Sequence, residues 1–328
     1  MSGCPGVEDN NLEISVQEAA QAVLEQDYIT VLCHQKPDGD TLGSGFGLYY
    51  ALRSLGKQVR VLCSDGYPEH YRFLFDGYTP EDFAEQFVVA VDVADLALLG
   101  NLRPAYENRI DLCIDHHPSN SRFAKRLWLD AKAAAVAEMI GVLLPLLGVK
   151  PQENSDVARC LYTGMATDTG CFRFSNTTAR SLRLVADFLE AGLDTQPINT
   201  AMFESKSRQR VALESYVLSS IEYYFDGRCA VIVVPQALQE EYGIDDAQLD
   251  GISAIPRQIE GVWVGVTIRE KAENCRISLR TTQEADASAI CAVFGGGGHY
   301  RASGCTIDGT AEHAKELLLN EIGKLLKS

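Results

Sequence analysis

The chain has 328 residues, 46% of them hydrophobic and 23% charged, with a formal net charge of −16. That length exceeds what one hydrophobic core usually organises, so two domains are expected, and no apolar run approaches the roughly 18 residues that span a bilayer. The acidity excludes a platform for long nucleic acids, which bind chiefly through phosphate neutralisation by basic surface. Even from Ile221 to the end there are 10 Lys plus Arg against 16 Asp plus Glu.

Met1 to Asn11 carries Glu8 and Asp9 and no basic stretch, so it reads as a frayed tail and not as a secretory signal. A cytoplasmic protein is expected. Ile29 to Cys33 reads as a strand, and about Leu42 to Leu55 as a helix closed by Gly56. Strands follow at Val59–Cys63, Phe87–Val91 and Leu112–Ile114. These runs are continuously apolar, which suits a parallel sheet covered on both faces. Helical patterns run over Ala133–Leu147, Ser155–Ala166, Thr178–Ala191, Pro197–Glu204 and Arg208–Ser220. The texture then changes, with strands at Ile221–Phe225, Ala230–Val234, Val262–Ile268 and Arg276–Arg280, and helices near Ala285–Val293 and Glu312–Leu326. The expected fold is α/β: a doubly wound parallel-sheet domain over residues 12–200, a helical linker over 201–220, and a smaller α/β domain over 221–328. The ten cysteines are scattered singly with no C-x-x-C pair, as buried free thiols in a reducing compartment would be.

Four segments carrying carboxylates and imidazoles follow apolar runs. His34-x-x-x-Asp38-x-Asp40 lies at a Pro37-Asp38-Gly39 turn signal after the first strand. Asp92 ends Phe87–Val91, Asp115-His116-His117 ends Leu112–Ile114, and Asp168 ends a helical run. Open parallel sheets bind ligands at the carboxyl ends of their strands, so these groups are aimed at one crevice. Each segment alone has an ordinary alternative as a turn, cap or surface polar group. Together they supply imidazole and carboxylate ligands, without thiolates, of the kind that hold Mn²⁺, Mg²⁺ or Fe²⁺. Farther on, Gly295-Gly296-Gly297-Gly298-His299 is a candidate anion cradle built from backbone amides, with His299 or Arg301 completing the grip. Arg280, at the end of a strand, is a candidate phosphate clamp, because a guanidinium binds phosphate bidentately.

The order and wording of these motifs, from about Tyr28 to Ile307, resemble the DHH phosphoesterase superfamily, named for the Asp-His-His seen here at 115–117. The C-terminal part resembles the DHH-associated domain, recognised by a glycine-rich loop ending in histidine. The nearest likeness is to the short nanoRNases that also dephosphorylate 3′-phosphoadenosine 5′-phosphate.

That resemblance implies a two-cation enzyme, with two Mn²⁺ per chain and Mg²⁺ or Co²⁺ as alternatives. His34, Asp38 and Asp92 would hold one ion, and Asp40, Asp92, His116 and Asp168 the other. Asp115 would orient the histidine pair, and His117 would face the scissile phosphate. Arg280, the glycines 295–298, His299 and Arg301 would grip a phosphate, although the sequence Tyr-Arg-Ala-Ser-Gly after His299 departs from the commonest form and weakens the case for Arg301. The implied substrates are RNAs of a few nucleotides and 3′-phosphoadenosine 5′-phosphate; the implied assembly is a homodimer, with no membrane partner. A cyclic or linear dinucleotide phosphodiesterase (c-di-AMP, pApA, pGpG) uses the same cluster, and inorganic pyrophosphatases share only the N-terminal motifs. A nucleotide-sensing module without turnover is the non-enzymatic alternative, but no expected ligand position is replaced.

Overall fold

In the computed structural model the described residues are 12–243, 249, 251–282 and 285–326; the N-terminal stretch read as a frayed tail lies outside them. The chain divides into two compact units, the first running to Ser205 and the second beginning at Lys206. No helix among the described residues is long and apolar enough to cross a membrane.

The first unit begins β1 (Leu12–Glu13), α1 (Val16–Leu24), β2 (Tyr28–Leu32), α2 (Gly39–Ser54) and β3 (Gln58–Leu62). It continues through β4 (Phe87–Val91), α3 (Arg103–Tyr106), β5 (Leu112–Asp115) and β6 (Arg126–Leu129), then α4 (Val136–Leu146), α5 (Ser155–Asp168), α6 (Ala179–Glu190) and α7 (Gln196–Asn199). Its six strands form one sheet, ordered β1-β6-β5-β4-β2-β3, and every pairing is parallel. β4 and β5 are buried along their whole length, as continuous apolar runs require. β3 instead alternates, because it is the sheet's edge. The sequence reading did not contain β1 and β6: one is two residues long, and the other begins with an exposed arginine. The helix expected over 197–204 is a short α7 followed by a π turn at Thr200–Glu204.

Strand order positions the site. After β2 the chain places β3 on one side and then returns to place β4 on the other. Such a reversal opens a crevice beyond the carboxyl ends of the two diverging strands. His34 lies two residues after β2, and Asp92 directly follows β4.

Helix α2 contains Gly39, Gly43, Gly45 and Gly47, each costing about 1 kcal/mol of helix propensity relative to alanine. Close packing explains their presence. A Cβ on Gly43 would lie 2.5 Å from the Cys160 carbonyl oxygen and 2.9 Å from the Gly164 nitrogen, so α2 and α5 touch backbone to backbone. A Cβ on Gly164 would in turn meet Ala137 at 2.6 Å and Asp40 Oδ1 at 3.0 Å. The glycines thereby bring the start of α2 against α4 and α5.

The second unit runs α8 (Arg208–Ser219), β7 (Glu222–Tyr224), β8 (Cys229–Val234), α9 (Gln236–Glu241), β9 (Val264–Glu270) and β10 (Asn274–Thr281). It ends with α10 (Ala287–Ala292), β11 (Gly297–His299), β12 (Ala302–Asp308) and α11 (Ala311–Leu326). Its sheet, ordered β11-β12-β10-β9-β8-β7, is antiparallel except for the β8–β9 pair. One face packs on α10 and α11 through Ile277, Leu279, Cys291 and Leu318. Elsewhere Ile232, Val234 and Ile252 cluster with Leu213 and Val217 of α8, the segment read from sequence as a connection. All nine described cysteines are free, seven of them buried.

Gly43→Ala and Gly164→Ala are expected to destabilise the first unit by about 1–3 kcal/mol through overpacking, read as a lower urea midpoint. An unchanged midpoint for both would contradict the backbone contact of α2 with α5.

Candidate metal centre and phosphate-binding face

His34 Nδ1 lies 2.8 Å from the Gln35 carbonyl oxygen, which keeps a proton on that nitrogen and leaves Nε2 as the one that would offer a lone pair to a cation once deprotonated. Nε2 is 3.6 Å from Asp38 Oδ1 and 3.6 Å from Asp92 Oδ2. Asp38 is also the N-cap of α2, accepting from the Asp40 and Thr41 amides at 3.0 and 3.1 Å. Thr41 is a support that sequence reasoning did not single out. Its hydroxyl accepts from the His34 amide at 3.3 Å and donates to the Val91 carbonyl at 3.1 Å, which ties the His34 turn to the end of β4.

Asp92 is buried and has a positive φ of 60°, a conformation aspartate tolerates better than most residues. Its amide still donates to the Ile114 carbonyl at 3.0 Å, so the sheet's pairing continues while the chain turns. Its Oδ1 is buried without a hydrogen-bond partner. That oxygen lies 3.8 Å from His116 Nε2 and 3.5 Å from His117 Nδ1. A buried carboxylate oxygen left unpartnered carries the full cost of its desolvation, and a cation is the group that would relieve it.

Asp115 has a different task. Its Oδ1 accepts from the His116 amide at 2.8 Å, the His117 amide at 3.3 Å and His117 Nδ1 at 2.8 Å, while Oδ2 accepts from Asn120 Nδ2 at 2.6 Å. It is fully buried, and its hydrogen bonds are spent on the backbone and side chain of the histidine pair and on Asn120. Burial pushes its pKa upward, but the hydrogen bonds from His117 and Asn120 outweigh this and hold the carboxyl below its usual range. The same bond raises the His117 pKa against the opposing effect of burial. It also occupies Nδ1, so His117 keeps Nε2 for outward contacts on a ring 44% exposed. Asn120 was missed in the sequence; the only signal is its place three residues after Asp-His-His.

His116 Nδ1 lies 3.2 Å from the Ala133 carbonyl oxygen, which leaves Nε2 to face Asp92 and, at 3.8 Å, Asp168 Oδ2. Asp40 accepts from the Val136 and Ala137 amides at 2.6 and 2.8 Å, at the N-terminus of α4. Each carboxylate oxygen offers two lone pairs, so these bonds leave acceptor capacity for a cation. Asn176, another unforeseen support, donates to the Ala134 and Asp168 carbonyls at 3.0 and 3.2 Å.

Three groups among the described residues bring ligand atoms within 4.8 Å of one another: His34–Asp38–Asp92, Asp92–His116–His117, and Asp40–His116–Asp168. Asp92 and His116 each belong to two of them. The electrostatics fit a cation as well. Burial and the charges of Asp92, Asp168 and Asp38 push Asp40 well above the carboxylate range. Burial, opposed by His116 and reinforced by Asp92 and Asp38, raises Asp168 to about 6. For His34, burial disfavours the charged ring, yet hydrogen bonds and charges from Asp38 and Asp92 raise it to about 11. Asp40, Asp168 and His34 thus retain protons more strongly than usual, because the carboxylates around them put excess negative charge in a buried place.

In the second unit, His299 pairs with Ala302, and Ala302 with Arg280, along one cross-strand row. Directly opposed residues share a sheet face, so His299 and Arg280 project from the same side, about 10 Å apart across two strand spacings. Arg280 Nη1 donates to the Leu279 carbonyl at 3.0 Å. Arg301 stacks on Tyr300, 4.8 Å from its ring centre, and donates to the Ala285 carbonyl. The glycine tract differs from a simple cradle. The Gly295 and Gly296 amides donate to the Ala292 and Cys291 carbonyls at 3.1 and 2.9 Å, closing α10, and Gly297 and Gly298 pair with β12. Two of the four amides expected to face an anion are thus committed inside the protein, because a helix ending there needs its last carbonyls satisfied.

Residues 28–165 match the model of the DHH family, N-terminal domain, and residues 226–328 match that of the DHHA1 domain. The bifunctional oligoribonuclease and PAP phosphatase NrnA of Thermus thermophilus is 33% identical over 299 residues, covering 90% of this chain and 88% of the relative. The cyclic-di-AMP phosphodiesterase PdeA of Listeria monocytogenes is 22% identical across 94% of this chain but only 49% of its own length. Among solved structures, an exopolyphosphatase-related protein of Bacteroides fragilis aligns with a TM-score of 0.86 at 26% identity, over 95% of this chain and 98% of that one. The chain belongs to the DHH family of phosphoesterases.

Cation uptake is expected to expel protons, because His34 must lose the one it holds up to about pH 11 and Asp168 the one it begins to take up near pH 6. Affinity therefore weakens as pH falls from neutrality through about 6. Calorimetric Mn²⁺ titrations in two buffers of different ionisation enthalpy measure this release, and equal apparent enthalpies would refute it. Added Mn²⁺ is also expected to raise the melting temperature of the wild type but not of Asp92→Asn.

Proposed function

We propose that this chain hydrolyses short oligoribonucleotides to mononucleotides and removes the 3′ phosphate of 3′-phosphoadenosine 5′-phosphate. It works with two divalent cations per chain, Mn²⁺ being the metal expected and Mg²⁺ or Co²⁺ its substitutes. The observation that carries the reading is the position of Asp92, grouped with His34 and Asp38 on the β2 side of its strand and 3.8 Å from His116 Nε2, which is itself grouped with Asp40 and Asp168, on the β5 side. The activities named for the Thermus relative extend it to these substrates. A cytoplasmic homodimer completes the proposal.

In this reading His34, Asp38 and Asp92 hold one ion, and Asp40, Asp92, His116 and Asp168 the other. Such a pair supplies Lewis acidity and an activated water for in-line attack at phosphorus. His117 has its Nδ1–H fixed on Asp115 at 2.8 Å, and the upward shift of its pKa favours a proton on Nε2, which it would offer to the oxygen that leaves phosphorus. Arg280 and His299 hold a phosphate of the substrate remote from the bond being cut, and Arg301 is a secondary contact.

The resemblance to PdeA supports a second reading, hydrolysis of c-di-AMP or of the linear dinucleotides pApA and pGpG. Rates on these compounds, on a labelled RNA ladder and on 3′-phosphoadenosine 5′-phosphate, measured side by side with Mn²⁺, order the substrates. Binding of these nucleotides without turnover would instead favour a sensing module.

Asp92→Asn is expected to lower turnover about a thousandfold, several kcal/mol of transition-state stabilisation, with the fold retained. The absence of mononucleotide product from the wild type, or a wild-type rate in Asp92→Asn, would sink the reading. Asp115→Asn removes the charge that raises His117, so the alkaline limb of the rate profile should move to lower pH. Arg280→Lys, which loses the bidentate fork, should raise KM roughly tenfold with kcat nearly kept.

A further inference from the structure

The segment directly after Asp168 carries features that the metal centre does not use. Gly170, Cys171 and Phe172 have successive φ values of 56°, 59° and 61°, so the chain makes a left-handed turn as α5 ends. For the two non-glycine residues this conformation costs free energy and persists only where surrounding contacts impose it. Those contacts are present. The Cys171 amide donates to the Ala166 carbonyl at 2.6 Å, the Arg173 and Phe174 amides donate to Thr169 at 3.0 Å, and Asn176 reaches back to the Asp168 carbonyl.

The turn separates two aromatic side chains. Phe172 packs against the core near Tyr162, with ring centres 5.9 Å apart. Phe174 does not follow it and is 54% exposed. Its ring tip rests on Gly170, where a Cβ would lie 2.3 Å from Phe174 Cζ. Glycine at 170 therefore serves both the positive φ and the seating of the ring. Beside it, the exposed Arg173 is fastened through Nε to the Gly170 carbonyl at 2.6 Å. The Phe174 ring is thus seated on Gly170, two residues past the candidate ligand Asp168, with a guanidinium alongside.

We infer that Phe174 is a nucleobase platform: it stacks a base of the substrate, and Arg173 contacts an adjoining phosphate. This deepens the reading above and rests on it for the identity of the substrate. Every base has a π face, so stacking tolerates all four sequences and suits an enzyme for mixed short RNAs. Neighbouring cations attract only phosphates, so discrimination between a nucleotide and a bare sugar phosphate must come from a surface of this kind.

The test is binding of AMP and of ribose 5-phosphate to the full-length protein in Mn²⁺ buffer, by calorimetry, for wild type, Phe174→Ala and Phe174→Trp. Wild type should prefer AMP. Phe174→Ala should weaken AMP roughly tenfold and leave ribose 5-phosphate unchanged, whereas Phe174→Trp should retain the preference. An AMP to ribose 5-phosphate ratio equal in wild type and Phe174→Ala would overturn the proposal. So would a change of oligomeric state in Phe174→Ala with that ratio kept, since the ring would then be a subunit contact. Should the AMP preference follow Phe174 while neither dinucleotides nor 3′-phosphoadenosine 5′-phosphate are hydrolysed, the platform stands and the reaction assigned above falls.

Discussion

A carboxylate oxygen buried without a proton donor governs the head of the parallel sheet. Asp92 Oδ1 has no hydrogen-bond partner, and its backbone sits in a left-handed conformation that the pairing with β5 holds in place. A group in that condition is costly in any fold, by an amount on the order of 1–3 kcal/mol or more for a charged oxygen. Its neighbours sharpen the problem. Asp38 and Asp92 flank His34, and His116 lies between Asp92 and Asp168, so two imidazoles stand among three carboxylates. Protons or cations must make up the difference, which is why the same geometry that looks strained without metal is suited to holding one.

Part of the compensation comes from helix ends. Asp38 caps α2, and Asp40 receives two amides at the start of α4, so each carboxylate rests against the positive end of a helix dipole. For Asp40 this arrangement requires α4 and α5 to approach the first turn of α2 closely. The approach exists because Gly43 and Gly164 remove the side chains that would keep the helices apart. A run of glycines unfavourable to an isolated helix is therefore explained by tertiary packing, and that packing sets the electrostatics of the site.

The residues of the cluster were legible in the sequence because each follows an apolar run that ends in a turn signal. Their convergence was not. Nothing in Phe87–Val91 says that it lies beside Tyr28–Leu32 and not beside Gln58–Leu62; strand order is settled by long-range packing, and the resemblance stood in for it. Supports were harder still. Thr41, Asn120 and Asn176 act through hydrogen bonds to backbone or to other site groups, and in the sequence each looks like ordinary turn chemistry. The short strands β1 and β6 carry too little pattern to be read alone. The glycine tract illustrates the same limit: runs of glycine announce backbone freedom but not which carbonyls the amides will meet, and here α10 takes two of them.

Net charge bears on the choice of substrate without any appeal to shape. A protein of net charge −16 repels a polyanion at long range, and attraction begins only where local positive charge exceeds that background. In the first unit that excess requires bound cations, since the cluster itself is anionic. In the second unit, Arg280 and His299 lie on one cross-strand row. A chain with this balance gains little of the counterion release by which a basic protein binds a long polyanion. The charge balance therefore suits substrates with a few phosphates, as the proposed reaction has, better than a long polyanion.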